Sequence, residues 1–239
     1  MTPYASGTPC WVDLGTPEPA RAAAFYSSLF AWTVDEPDAD AYRLCRLHGQ
    51  LVAALGPGDD AGPPYWTTNF SVVDVGAAAD AIVAAGGEVV VRPTEAGEFG
   101  RFAVAIDRVG APISLWEPRS HLGADVRGVP GAWAHTHLFT DDADGASRFY
   151  GDLFGWTELE RRWTLGGEVV ASFGPMPSSW RSPRESLWLV VFEVADLEAA
   201  CAGVIDLGGA EFESIPSPVG PIVLVTDDQD AAFGLWQRP

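Results

Sequence analysis

The segment Ala134-His135-Thr136-His137-Leu138-Phe139-Thr140-Asp141-Asp142 holds two of the chain's four histidines, two residues apart. On a β-strand, residues i and i+2 share a face. Two imidazoles side by side can ligate a metal ion or hold and move a proton. Asp13 is the matching acidic residue near the start of the chain, at an offset of 124 (137 − 13). A carboxylate against an imidazole fixes its tautomer and keeps its pKa near the working pH, as general acid–base catalysis requires. Two histidines and one carboxylate would equally suit non-haem Fe(II). His135, His137 and Asp13 are therefore the candidate catalytic residues. The competing interpretation is a pair of strand histidines bonded to their neighbours.

The elements that must position them repeat. Asp13–Thr33, DLGTPEPARAAAFYSSLFAWT, matches His137–Thr157, HLFTDDADGASRFYGDLFGWT, with Phe25-Tyr26 against Phe149-Tyr150 and Trp32-Thr33 against Trp156-Thr157. The offset is 124 (149 − 25). Gly86-Gly87 then matches Gly208-Gly209 at 122 (208 − 86), and Asp107–Pro118 matches Asp227–Arg238 at 120 (227 − 107). Loop insertions and deletions account for the drift, and the order of matches never changes.

Each copy starts with a short strand, Cys10–Gly15 or Ala134–Phe139. A helix follows, capped by Thr16 ahead of Pro17 in the first copy and by Thr140 or Asp141 in the second. Ala22, Phe25, Tyr26, Leu29 and Phe30 recur at helical spacing, so that helix buries one face. A hairpin turns at His48-Gly49 or Gly166-Gly167, and a Pro/Gly-rich loop comes next. A strand into Asp74 or Asp196, a helix ending at Gly86 or Gly208 and two final strands complete the copy. The expected division is a first module over 8–118, a linker over 119–130 and a second module over 131–239.

The chain has 239 residues, 47% of them apolar, enough for a sizeable core. Its formal charge of −19 argues against nucleic acid and anionic membranes as partners. No apolar run reaches the roughly 18–20 residues of a membrane span, and the N-terminal segment does not read as a signal peptide. Cys10, Cys45 and Cys201 are far apart with no CxxC pair, the usage of free thiols in a reducing cytoplasm. The expected localisation is cytoplasmic.

The doubled pattern of first strand, FYxxLFGW, VxDV…GG and DxxGAxxxLWEP resembles the vicinal-oxygen-chelate superfamily, which includes glyoxalase I, bleomycin-resistance proteins and extradiol dioxygenases. It is most similar to the tandem bacterial type. The resemblance implies an α+β fold of two tandem βαβββ modules, forming an eight-stranded curved sheet around a cup that binds a small molecule. In metal-using members the first-strand and last-strand positions supply His and Glu ligands. Here those positions fall on Trp11 and His135, and on Ser114 and Gly234. Only His135 is a good ligand, so no metal site and no cofactor are expected. The alternative is a divalent metal (Fe, Zn, Mn or Ni) involving His135.

Ten tryptophans add a second theme. Trp11, Trp66, Trp116, Trp188 and Trp236 fall on expected strands, Trp32 and Trp156 belong to the helix-end motif, and Trp180 sits in a loop where it could act as a lid. Indole walls suit flat aromatic ligands. The expected ligand-binding residues are Trp11, Asn69, Ser114, Trp116, Trp188 and Trp236. The leading expectation is a protein, monomeric or homodimeric, that binds or transforms a small aromatic or polycyclic metabolite or antibiotic without the usual metal. Two others stay open: a divalent-metal-dependent lyase, isomerase or dioxygenase, and a sequestering resistance protein that does no chemistry.

Overall fold

The computed structural model describes residues 3–37, 42–58, 63–178 and 185–239. Trp180 lies outside them.

The first repeat runs β1 (Pro9–Thr16), α1 (Pro19–Phe30), β2 (Thr33–Val34), β3 (Arg43–Leu47), β4 (Gln50–Pro57), β5 (Tyr65–Ser71), α2 (Val75–Ala84), β6 (Glu88–Glu95), β7 (Gly100–Ile106) and β8 (Pro112–Pro118). The second repeats that order: β9 (Trp133–Phe139), α3 (Ala143–Phe154), β10 (Thr157–Leu159), β11 (Arg162–Leu165), β12 (Glu168–Gly174), β13 (Leu187–Glu193), α4 (Leu197–Asp206), β14 (Ala210–Ile215), β15 (Ile222–Thr226) and β16 (Ala232–Trp236).

Each repeat forms its own eight-stranded mixed sheet, in the orders β2-β3-β4-β1-β5-β8-β7-β6 and β10-β11-β12-β9-β13-β16-β15-β14. Neither sheet closes on itself. The α+β class, the βαβββ motif and the open curved sheet of eight strands are all present. The chain holds them twice over, because each repeat contains two βαβββ motifs rather than one. The strands the sequence left out are at the sheet edges: two-residue β2, three-residue β10, and the first strand after each second helix, β6 and β14.

Helix ends follow local chemistry. The Asp74 carboxylate accepts from the amides of Gly76 and Ala77 at 2.8 and 3.0 Å, and Asp196 caps α4 through Ala199 in the same way. Asp142, one residue beyond the expected cap, accepts from Gly145 N–H and starts α3. The first helix begins later than expected, with Glu18 at the N-cap and Pro19 inside the first turn. Thr16 is instead tied to Gln229, 2.7 Å between oxygens.

The sheets follow the repeats, but the cores do not. One compact unit comprises Met1–Trp11, Thr68–Gly123 and Thr136–Trp188; the other comprises Val12–Thr67, Ala124–His135 and Leu189–Pro239. Each takes one helix from each repeat. In the first, Phe70, Ile82, Ile113 and Leu115 pack with Leu138, Phe149, Tyr150 and Trp163. In the second, Val12, Phe25, Tyr26 and Phe30 pack with Phe192, Val225, Phe233 and Leu235. All three cysteines are buried free thiols.

Candidate functional site

Strand alternation sorts the candidate residues by face. In the first unit, Phe70 of β5, Ala103 and Ala105 of β7, and Ile113 and Leu115 of β8 all enter the core. Asn69, Phe102, Ser114 and Trp116 have the opposite phase and occupy the sheet face turned away from that core. Asn69 stands beside Ser114, and Ser71 beside Trp116, in the parallel β5–β8 pairing. Trp11 is out of phase with the core residues Val12 and Leu14 in the same way.

Trp11 and Trp116 lie on strands two places apart in the order β1-β5-β8. Two strand spacings put their backbones about 10 Å apart. The ring of His121 lies against both indoles, perpendicular to Trp11 at 4.5 Å between centroids and inclined 67° to Trp116 at 5.6 Å. These are edge-to-face distances. The indole N–H of Trp116 donates to the His121 carbonyl at 2.9 Å. Asn69 and Ser114 add polar groups on the same face, both largely buried.

His137 belongs to the first unit but to the second sheet. Its Nδ1 is 2.7 Å from Ser172 Oγ, on the registered position of the neighbouring strand β12. Its ring meets Phe139 edge-on at 5.0 Å. Ser172 thus engages the ring at Nδ1. Asp13 stands on β1 of the first sheet, level with Ala54 of β4. The 124-residue match marks equivalent positions in two sheets, and the structure does not place the two residues on one sheet.

In the second unit, His135 is almost completely buried, and its carbonyl accepts from the Trp133 indole at 2.8 Å. Burial, with the Arg127 charge adding to it, lowers the imidazole pKa to about 4. At neutral pH His135 is uncharged, so it can accept a proton or offer a lone pair but cannot act as an acid. The shift also couples to stability. Relative to an unfolded value of about 6.5, the unfolded chain binds the proton more readily. The contribution is complete above pH 6.5 and is lost as pH falls toward 4. His135→Gln is expected to abolish about 3 kcal/mol of acid-induced destabilisation between pH 7 and pH 4, measured by urea unfolding at the two pH values. An unchanged pH slope would refute a neutral, desolvated His135.

Trp236 stands level with Glu193 on the paired strand β13. Its indole donates to the Val219 carbonyl at 3.1 Å, and the Arg238 guanidinium lies over its ring at 5.3 Å. Arg238 grips the buried Glu193 carboxylate through Nε and an Nη at 3.2 and 2.8 Å.

Trp188 has another role. It packs in the core with Phe70, Trp156 and Trp163, and its indole donates to Tyr150 Oη at 2.9 Å. The Tyr150 hydroxyl donates to Asp107 at 2.6 Å. The second unit repeats the relay: Trp66 to Tyr26 at 2.9 Å, then Tyr26 to Asp227 at 3.0 Å. In each, the other carboxylate oxygen accepts two amides of its own turn. Burial raises both carboxyls, Asp107 to about 6. Trp188 is thus the structural counterpart of Trp66 and is removed from the ligand-binding set.

A divalent metal does not fit the residues at the implied ligand positions. Trp11 cannot coordinate through its side chain, and Ser114 is a weak donor. At Gly234 a Cβ would stand 2.8 Å from Ile222 Cγ2, 3.0 Å from Val191 Cγ2 and 3.2 Å from Leu189 Cδ2, so aliphatic side chains fill the space a ligand would need. Among the described residues, no three His, Cys, Asp or Glu side chains are grouped to hold a metal ion.

The sequence placed His121 in the linker and missed its position between two indoles. Its path depends on tertiary hydrogen bonds: Arg119 and His121 N–H both donate to the Phe99 carbonyl, at 3.0 and 3.2 Å.

Residues 11–116 match the glyoxalase-like domain family, and residues 132–230 match the glyoxalase/bleomycin resistance protein/dioxygenase superfamily. Among curated proteins, the chain is 33% identical to the anthracycline biosynthesis protein DnrV of Streptomyces peucetius, over 98% of this chain and 94% of that protein. Among solved structures it is similar to the Mn(II)-bound glyoxalase from Novosphingobium aromaticivorans (TM-score 0.65, 13% identity, 97% of this chain and 82% of that one). It is also similar to the 2,3-dioxygenase LapB from Pseudomonas sp. KL28 (TM-score 0.66, 12% identity, 98% and 93%). At those identities the structural likeness concerns the fold.

Proposed function

Since the chain belongs to the glyoxalase/bleomycin resistance protein/dioxygenase superfamily, we propose that it binds a planar polycyclic aromatic molecule at Trp11 and Trp116 of the first sheet, without a metal. The observation that carries this reading is the pair of indoles two strands apart with an aromatic ring lodged against both. Asn69 and Ser114, side by side on the same face, supply hydrogen bonds for ring oxygens. The relative named for anthracycline biosynthesis supports the ligand class, because anthracyclines are flat, oxygenated, fused-ring molecules. Buried free thiols fit a reducing compartment, the cytoplasm.

Titration with the fused-ring probe 1,4-dihydroxyanthraquinone, followed by calorimetry, tests the reading. Saturable one-site binding is expected. Trp116→Ala is expected to weaken it about tenfold, the loss of one good aromatic contact. If neither this probe nor other planar fused-ring compounds bind, the proposal fails.

The His137–Ser172 contact favours a second reading, metal-independent proton transfer on the second sheet. With Nδ1 engaged by Ser172, the exchanging atom would be Nε2. His135 would stay a neutral neighbour. Turnover retained in His137→Gln would exclude this role.

A further inference from the structure

We infer that a groove beside α4 is a further binding site, for a small apolar molecule that carries a protonated amine. The groove lies wholly within the second unit and is independent of the reading of Trp11 and Trp116. It is a cavity of about 580 Å³ between the last turn of α1, the β3–β4 turn and α4. That is the size range of small-molecule sites, about 300–1,000 Å³. Its floor is apolar, with Leu29, Phe30, Leu47, Val194 and Leu207. Gly203 adds room: a Cβ there would stand 3.5 Å from Leu29 Cδ1, an ordinary contact, and a longer side chain would extend into the space both residues line.

Asp196, Asp206 and His48 are the titratable groups of the rim; among the described residues no arginine lines it, and the chain has no lysine. Asp196 is compensated where it stands, because it caps the N-terminus of α4 and accepts the Ala199 amide. Asp206 is in the opposite position. Its carboxylate is exposed in the last turn of α4, where the helix dipole disfavours an anion. The last turn of α1 faces the same groove, and neither helix has a basic residue in that turn. Among the described residues, none of the ion pairs involves Asp206. The fold itself does not demand this acid. At the offset of 122 (206 − 84), α2 has Ala84 in its place, and Ala81 where α4 has Gly203. The charge and the room are thus both particular to α4. Two helix C-termini and a carboxylate attract a cation. A bare metal ion would need several oxygen ligands, whereas one carboxylate above an apolar floor suits an ammonium group on an apolar body.

The test uses n-octylammonium, 1-octanol and octanoate, which share one apolar body and differ in charge, with calorimetry at pH 8. Octylammonium is expected to bind saturably at one site, about fivefold tighter than 1-octanol, with octanoate weakest. Asp206→Asn is expected to weaken octylammonium about threefold and to leave 1-octanol unchanged. Gly203→Leu, which a helix accepts readily, is expected to abolish binding by filling the groove. Without ligand, Asp206→Asn should melt above the wild type, because it removes an anion from a helix C-terminus. A lower melting temperature would mean that the fold already holds this carboxylate, and would overturn the site. Equal affinity for octylammonium and 1-octanol, octylammonium binding that survives Asp206→Asn or Gly203→Leu unchanged, or no saturable binding would each overturn it too. Ala199→Leu serves as a second blocking variant should Gly203→Leu lower the melting temperature by more than a few degrees. Each of these failures leaves the binding of 1,4-dihydroxyanthraquinone at Trp11 and Trp116 to its own titration.

Discussion

Expressed alone, either sequence repeat is expected to give no cooperatively folded monomer. The helix α1 belongs to the first repeat, yet part of the cover on its aromatic face comes from the second. Phe30 lies 4.9 Å from Phe192, and Tyr26 lies 5.6 Å from Phe233. The helix α3 is the mirror case, with Tyr150 6.4 Å from Phe70. Burial of one large apolar side chain contributes about 1.5–3 kcal/mol. Several are lost in each half, against a total stability of about 5–15 kcal/mol for an ordinary domain. The halves 8–118 and 131–239 should therefore aggregate or self-associate, and mixing them should restore a sharp thermal transition. A half that is monomeric by size-exclusion chromatography and melts cooperatively would contradict this account. The boundary that serves sequence matching, near residues 119–130, separates the sheets but cuts through both cores.

Tyr150→Phe is the point substitution expected to cost most for a single atom, about 2–4 kcal/mol. The hydroxyl accepts from Trp188 and donates to Asp107, so its removal strands an indole N–H and deprives a buried carboxylate of a donor. The loss should depend on pH. In the wild type, burial raises the Asp107 carboxyl to about 6 despite the Tyr150 hydrogen bond and three backbone amides, which pull the other way. Its unfolded value is about 3.9. The contribution of this group is fully present below pH 3.9 and is lost as pH rises through 6. Without the tyrosine the carboxyl rises further, so the deficit should be larger at pH 8 than at pH 5. Guanidinium unfolding at both pH values measures it. Equal deficits would mean that Asp107 is not charged against a desolvated background. This dependence runs opposite to that of His135, and the two partly cancel between pH 4 and pH 6.

Much of the fold could be read from FYxxLFxW and its recurrence, because a duplicated aromatic helix implies a duplicated surface to receive it. Which surface receives it could not be read. Nothing local in Phe25 or Tyr26 says that Phe233 of the second repeat packs on them in addition to residues of their own repeat. The site divides similarly. The phases of Trp11, Asn69, Ser114 and Trp116 follow from alternation against Val12, Phe70 and Leu115. Trp188 was readable as core by the same rule, since it shares phase with Val190 and Phe192, and it matches Trp66 at an offset of 122 (188 − 66). Its type, an indole on a strand, outweighed its phase. Asp13 and His137 are equivalent positions of the two repeats, one in each sheet. His121 carried no signal, because a linker's course is set by distant carbonyls.

The hydrogen bond from Tyr26 to Asp227 joins residues 201 apart in the chain. During synthesis at about 5–20 residues per second, α1 must wait roughly 10–40 s for the strands that cover it. For that interval Phe25, Tyr26 and Phe30 lack their partners from the second repeat, Phe192 and Phe233 among them, and slow translation of the C-terminal third prolongs their exposure. The nascent chain should accordingly depend on holdase chaperones until the last strand has been made, a demand created by the way the repeats share their cores.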